Sequence, residues 1–230
     1  MKPFNYLIFQ FRSKSKLFIL ISSTAVVLAA LGFGYYLHER KNTQRVKYNE
    51  LHAIARLKMK QVSMWYEVVL SDVQLFSERM PFRGYAADIL NGKSGNEEPF
   101  REACTHLITR AQYDNIYLLD LREQLKYSTV ANQEIPDPSI SDFVTKALEE
   151  RKIVFTDFYY CQIHRKVNFD LLAPVLDALG EPLGVMVFSV SPSLFLYPLI
   201  QEWPTPARTA ETVIAKQIGD SIHYLNELKN

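Results

Sequence analysis

Between Leu17 and Leu37 the chain runs for 21 residues, LFILISSTAVVLAALGFGYYL, without a charged side chain. As a helix rising about 1.5 Å per residue, such a segment is roughly 30 Å long, the thickness of a bilayer's hydrocarbon core. It separates a short tail, 1–16, from everything that follows. The tail carries Lys2, Arg12, Lys14 and Lys16 and no acidic residue, a pattern retained on the cytoplasmic side. Arg40, Lys41, Arg45 and Lys47 follow the span, so local charge counting alone is nearly balanced. A long following domain, however, translocates largely regardless of its charge. A cleaved signal peptide competes with an anchor, but its apolar core is usually about 7–15 residues and ends in a small-x-small cleavage site. Here the core is longer, and Tyr35 and Tyr36 resemble interfacial aromatic anchors. A buried core helix of this length would carry polar interruptions. The expectation is an uncleaved anchor at 17–37, with the N-terminus inside.

Composition narrows the chemistry. The formal net charge is +1 and the basic residues are dispersed, so nothing points to a nucleic-acid partner. Cys104 and Cys161 are too few for a disulfide scaffold, and whether they pair is left open by the sequence. There is no His-Glu-x-x-His, Gly-x-Ser-x-Gly, P-loop or Cys-x-x-Cys motif. Cys161-Gln-Ile-His164 has ligand-like spacing, but a zinc site takes about four ligands and this one offers two. Ser13-x-x-Lys16 lies in the basic tail and reads as topogenic. No catalytic residue, metal site or cofactor is expected.

From Glu39 to about Met80, Ile54, Leu57, Val62, Trp65, Val69, Val73, Phe76 and Met80 recur near a 3.6-residue period. This predicts a long amphipathic helix, 38–80, serving as a stalk. A loop at Gly92–Asn96 precedes a helix over 97–111. The period then changes: 113–120 and 124–130 read as a hairpin, and Ser139 or Ser141 caps a helix to Arg151. Strands follow at 153–160, 165–175 and 183–190, the last two joined by a turn at Asp177–Pro182. A short helix at 194–202 leads to a final hairpin around Gly219-Asp220. Five strands with helices before and between them predict an α+β fold.

These segments resemble a known family. YDNIYLLDLREQLKYST (113–129), IVFTDFYY (153–160), VNFDLLAPVLDALGEPLGVMVFSV (167–190) and LFLYPLIQEWPTPARTAETV (194–213) are similar to the extracytoplasmic Cache-type (PDC, PAS-like) sensor regions of bacterial transmembrane receptors, such as sensor histidine kinases and diguanylate cyclases. The resemblance covers roughly 40–230. It implies a PAS-like antiparallel five-stranded sheet in a sensor module at 81–202, with Gly180 and Gly184 as its turn and packing glycines. It further implies that 203–230 opens a second module, that the chain stops within that module, and that a second span and an output domain lie beyond.

In a PAS-like sheet the ligand pocket lies between the central strands and the elements covering one face. The candidates are Tyr117, Asp157, Tyr159, Lys166 and Asp170, tyrosines with polar tips beside charges that fix a head group. Strand alternation would place Asp157 and Tyr159 on one side. The Arg-x-Trp-Tyr signature of amino-acid-binding relatives is missing, so an amino-acid ligand is not supported. The expected function is a membrane-anchored signal-sensing domain. Its expected partners are an unidentified small molecule or ion, the lipid bilayer, and a second copy along the stalk helix. A membrane-tethered periplasmic enzyme and a non-sensing scaffold are the alternatives.

Overall fold

The computed structural model describes residues 4–111, 113–131, 138–161, 165–204 and 211–226, with side chains described from Leu20 onward except at 110, 111 and 218. Two compact units are distinguished, 1–57 and 58–230. Helix α1 runs from Phe4 to Glu78, 75 residues without interruption, so the segments expected as an anchor and a stalk form one helix. Every residue from Leu20 to Asn49 is exposed. Among the described residues this is the one helix long and apolar enough to cross a membrane, by length and composition.

In the second unit, the remainder of α1 shows the expected stripe. Trp65, Val69, Val73 and Phe76 are buried and Val62 is partly so, whereas Met80 lies past the helix end and is exposed. The chain turns at a cis Met80–Pro81 bond and forms α2, Phe82–Leu90, a helix that the sequence reading passes over. Gly84 there looks like a breaker, but Ala86 and Ile89 are buried, and tertiary packing overrides a weak local propensity. Helix α3 covers Glu97–Ala111.

The sheet is antiparallel throughout, with order β2-β1-β6-β5-β3 and β4 pairing with β5 beside β3. Its strands are β1 (Tyr113–Asp120), β2 (Leu125–Ser128), β3 (Val154–Phe155), β4 (Tyr159–Cys161), β5 (Lys166–Leu176) and β6 (Pro182–Val190). There are six strands rather than five because the segment expected as one strand at 153–160 breaks in the middle. At Thr156 the backbone N–H donates to the Asp170 carbonyl at 2.9 Å, and its hydroxyl accepts the Asp170 N–H at 2.8 Å. Asp157 then turns its carboxylate onto the N–H of Phe158 at 2.7 Å, which competes with regular strand pairing.

One chemistry closes both hairpins. The Asp120 carboxylate accepts the N–H groups of Arg122 and Gln124 at 2.8 and 2.9 Å. Asp177 does the same for Leu179 and Glu181, at 2.8 Å each. Burial opposes ionisation of Asp120, but the Gln124 and Arg122 N–H groups and the Lys126 ammonium outweigh it, so the carboxyl lies below its ordinary range. Gly180 supplies the left-handed turn residue, with φ +84°. A Cβ at Gly184 would meet the Leu119 carbonyl oxygen at 2.2 Å. The expected turn and packing roles are thus both present.

Helices α1, α2 and α3 cover one face of the sheet around Phe188, Met186, Leu171 and Phe169. Helix α4 (Ser141–Glu150), entered through a 3-10 turn at Pro138–Ile140, covers the other. Cys104 and Cys161 are both buried and not bonded to each other. Helix α5 (Leu196–Gln201) follows, and its end is held by Lys58. The buried Lys58 ammonium donates to the Leu199 carbonyl at 2.8 Å and to the Glu202 carbonyl, a favourable place for a cation at a helix C-terminus. The hairpin β7–β8 (Ala215–Ile218, Ser221–Tyr224) forms a separate two-stranded sheet. Residues 132–137, between the first hairpin and the helix before Arg151, and residues 227–230 lie outside the described residues.

Candidate ligand site on the sheet

Strand β5 sends Phe169, Leu171 and Ala173 to the helical face, and Asn168, Asp170 and Leu172 to the face that carries α4. The second face is not uniformly apolar. Asp170 pairs in register with Ser189 of β6, and Ser189 with Asn115 of β1. Three polar side chains therefore lie side by side across the three central strands, and all are buried. The row continues at each end. The Thr129 hydroxyl donates to the Asn115 side-chain oxygen at 2.6 Å. At the other end Tyr159, on β4, donates its hydroxyl to an Asp170 carboxylate oxygen at 2.6 Å. The Asn168 amide donates to the Ser189 hydroxyl at 3.2 Å, while its side-chain oxygen, also buried, has no hydrogen-bond partner among the described residues.

Tyr117 lies one step along the same face, buried with Leu119, Val144, Leu172 and Val187. Burial, followed by the negative charge of Asp170, pushes the Tyr159 phenol far above its ordinary ionisation range. It therefore stays a neutral donor to a carboxylate set at the middle of the sheet. A buried carboxylate with a fixed donor, flanked by amide and hydroxyl groups, can hold a polar head group against an apolar wall. Among the described residues no three His, Cys, Asp or Glu side chains come together to hold a metal ion, and His164 lies outside them.

The structure brings together Tyr117, Tyr159 and Asp170 and separates the other two candidates. Asp157 is exposed and does not share a side with Tyr159, because the strand that would align them is broken. Its carboxylate meets the Lys216 ammonium at 2.9 Å, and that ammonium also donates to the Phe158 carbonyl at 2.9 Å. Asp157 thus fastens the β7–β8 hairpin. Lys166, at the start of β5, is engaged in an ion pair with Asp114, the residue before Asn115 on β1. Asn115, Asn168 and Ser189 were not among the candidates. Their signal is in the sequence nonetheless, as polar residues at alternate positions within otherwise apolar strands, YDNIYLL, VNFDLL and VFSV.

No protein-family model and no curated protein sequence matches the chain. Among solved structures, the sensor domain of the V. cholerae histidine kinase DctB aligns with a TM-score of 0.52 at 15% identity, covering 70% of this chain and 62% of that one. The ligand-binding domain of the Pseudomonas aeruginosa PAO1 amino acid chemoreceptor PctC, solved with GABA, aligns at 0.48 and 16% identity, covering 67% and 64%. That of the Campylobacter jejuni chemoreceptor Tlp3, solved with L-norvaline, gives 0.46 and 18%, covering 64% and 60%. The chain spans about six-tenths of the length of each of these domains. The α+β fold of 58–230 is similar to that of the DctB sensor domain.

Proposed function

We propose that the chain is the signal-sensing part of a bacterial membrane receptor, without enzymatic activity of its own. In this reading residues 17–37 anchor it in the cytoplasmic membrane, the N-terminus is inside, and the sheet lies in the periplasm or outside the cell. A small polar molecule binds over Asp170, Tyr159 and Tyr117, with Asn168 and Ser189 completing its contacts. The observation that carries this reading is the row of buried polar side chains on one face of an otherwise apolar sheet. Burying such groups is unfavourable unless they are fully paired, and burial with a defined charge partner is a mark of functional sites.

The same strand supplies a route outward. Phe169, the neighbour of Asp170, points to the opposite face, where its ring lies 6.0 Å from that of Trp65 on α1. A ligand that prefers one setting of β5 would bias the setting of α1 through that contact. Met64, Val68 and Leu75 form an exposed apolar stripe on α1, spaced as a seam for a second copy of the helix. Dimerisation there would let the bias be read across two chains.

The test is a thermal-shift panel of small polar metabolites on the full chain in lipid nanodiscs. Stabilisation by one compound, lost in Asp170→Asn and Tyr159→Phe, is the expected result. Silence across the panel favours a scaffold. Turnover of a hydrolase substrate that depends on Asp170 would favour a tethered enzyme.

A further inference from the structure

Just past the apolar stretch, α1 sorts its charges onto separate faces. At about 100° per residue, His38, Lys41, Arg45, Tyr48 and His52 fall within about 80° of one another round the helix. All five are exposed, and the rings of Tyr48 and His52 stack with centroids 6.2 Å apart. The acidic residues of 38–57 are Glu39 and Glu50, set about 140–160° round from the centre of this face. Glu50 is engaged on that other side by the Lys47 ammonium at 2.8 Å. Lys41 and Arg45 have no ion-pair partner among the described residues.

We propose that this face binds the headgroups of anionic phospholipids, an inference that rests on the span at 17–37 proposed above. Lys41 and Arg45 stand about 6 and 12 Å along the axis from Leu37, and the headgroup layer reaches about 5–7 Å beyond the hydrocarbon. Side chains on a helix lean toward its N-terminus. Here the N-terminal part is the span, so both cations lean back toward the bilayer, and the long stem of Arg45 covers the remaining distance. Cytoplasmic retention accounts for basic residues before a span but gives no reason for a cationic face after it. A second copy seated on this face would set Lys41 and Arg45 against like charges, whereas an anionic lipid surface attracts each of them.

The full chain is reconstituted into phosphatidylcholine vesicles with a trace of spin-labelled phosphatidylglycerol or spin-labelled phosphatidylcholine. The motionally restricted part of the EPR spectrum then measures lipid held at the protein. A preference for phosphatidylglycerol that declines with added salt is expected. The double variant Lys41→Gln with Arg45→Gln should lower it about twofold or more. Lys47→Gln, which removes the same charge as either single change but from the other side, should leave it as it is. The basic tail contributes alike in every variant, so differences between variants report this face. Glutamine is a good helix former, and the positions are exposed, so the helix is kept. Equal retention of the two lipids, indifference to the double variant, or an equal loss in Lys47→Gln overturns the inference while leaving the span standing. Absence of any restricted component overturns the span and the inference with it.

Discussion

The two faces of the sheet are built from alternate residues of the same strands, yet they obey different rules. The helical face is apolar to its centre, where Phe188 meets the ring of Phe76 edge-on and packs against Tyr113. The face under α4 places Asn115, Asn168, Asp170 and Ser189 among its valines and leucines. Apolar burial of about 25 cal/mol per Å² rewards the first arrangement, and nothing in that term rewards the second. The difference separates the side that holds the fold from the side that can do something else.

The largest test of this contrast is Phe188→Ala, which should cost about 3–5 kcal/mol in an unfolding titration through the cavity it leaves. Tyr159→Phe on the other face should cost less, about 1.5–3 kcal/mol, for a hydrogen bond to a charged acceptor, while abolishing any ligand-induced stabilisation. If it costs as much as Phe188→Ala and ligand response survives, the polar row is structural and the contrast fails.

A pH titration sharpens the same point. Burial pushes Tyr127 and Tyr197 up to about 12, and Tyr113 and Tyr159 beyond that range. In the unfolded chain these phenols ionise near pH 10. Folding stability from them is therefore fully present below about pH 10 and declines as pH rises above it. Phenolate absorbance of the folded chain should show Tyr159 ionising only on unfolding, and Tyr159→Phe should flatten the alkaline fall in melting temperature. The smallest effect is expected at the surface. Asp157→Ala removes an exposed ion pair worth under about 1 kcal/mol, and should leave ligand response intact while speeding protease cleavage near 215–224.

The strands, the turn at Asp177–Pro182 and the long apolar stretch of α1 were legible because each rests on local rules: alternation, turn residues and unbroken apolarity. Helix α2 was not, since its nine residues contain Gly84 and are held by the burial of Ala86 and Ile89 against partners distant in sequence. The break at Thr156 was hidden for a similar reason, because its hydrogen bonds go to Asp170, fourteen residues away. Asp157 looked like a site residue on a strand that does not continue through it. Asn168 and Ser189 were readable as alternation defects, but only their registry across β5 and β6 shows that they form a row.

Lys58 gives the long helix a mechanical set-point. Its ammonium, 7% exposed, is gripped by carbonyls that belong to the end of α5. Sliding α1 along its axis by one residue, about 1.5 Å, would pull that charge off its acceptors and leave it buried without them. Small strokes stretch the grip, and larger ones must break it. The helix therefore has a detent at this point, so that displacement along it is resisted up to a threshold and then released.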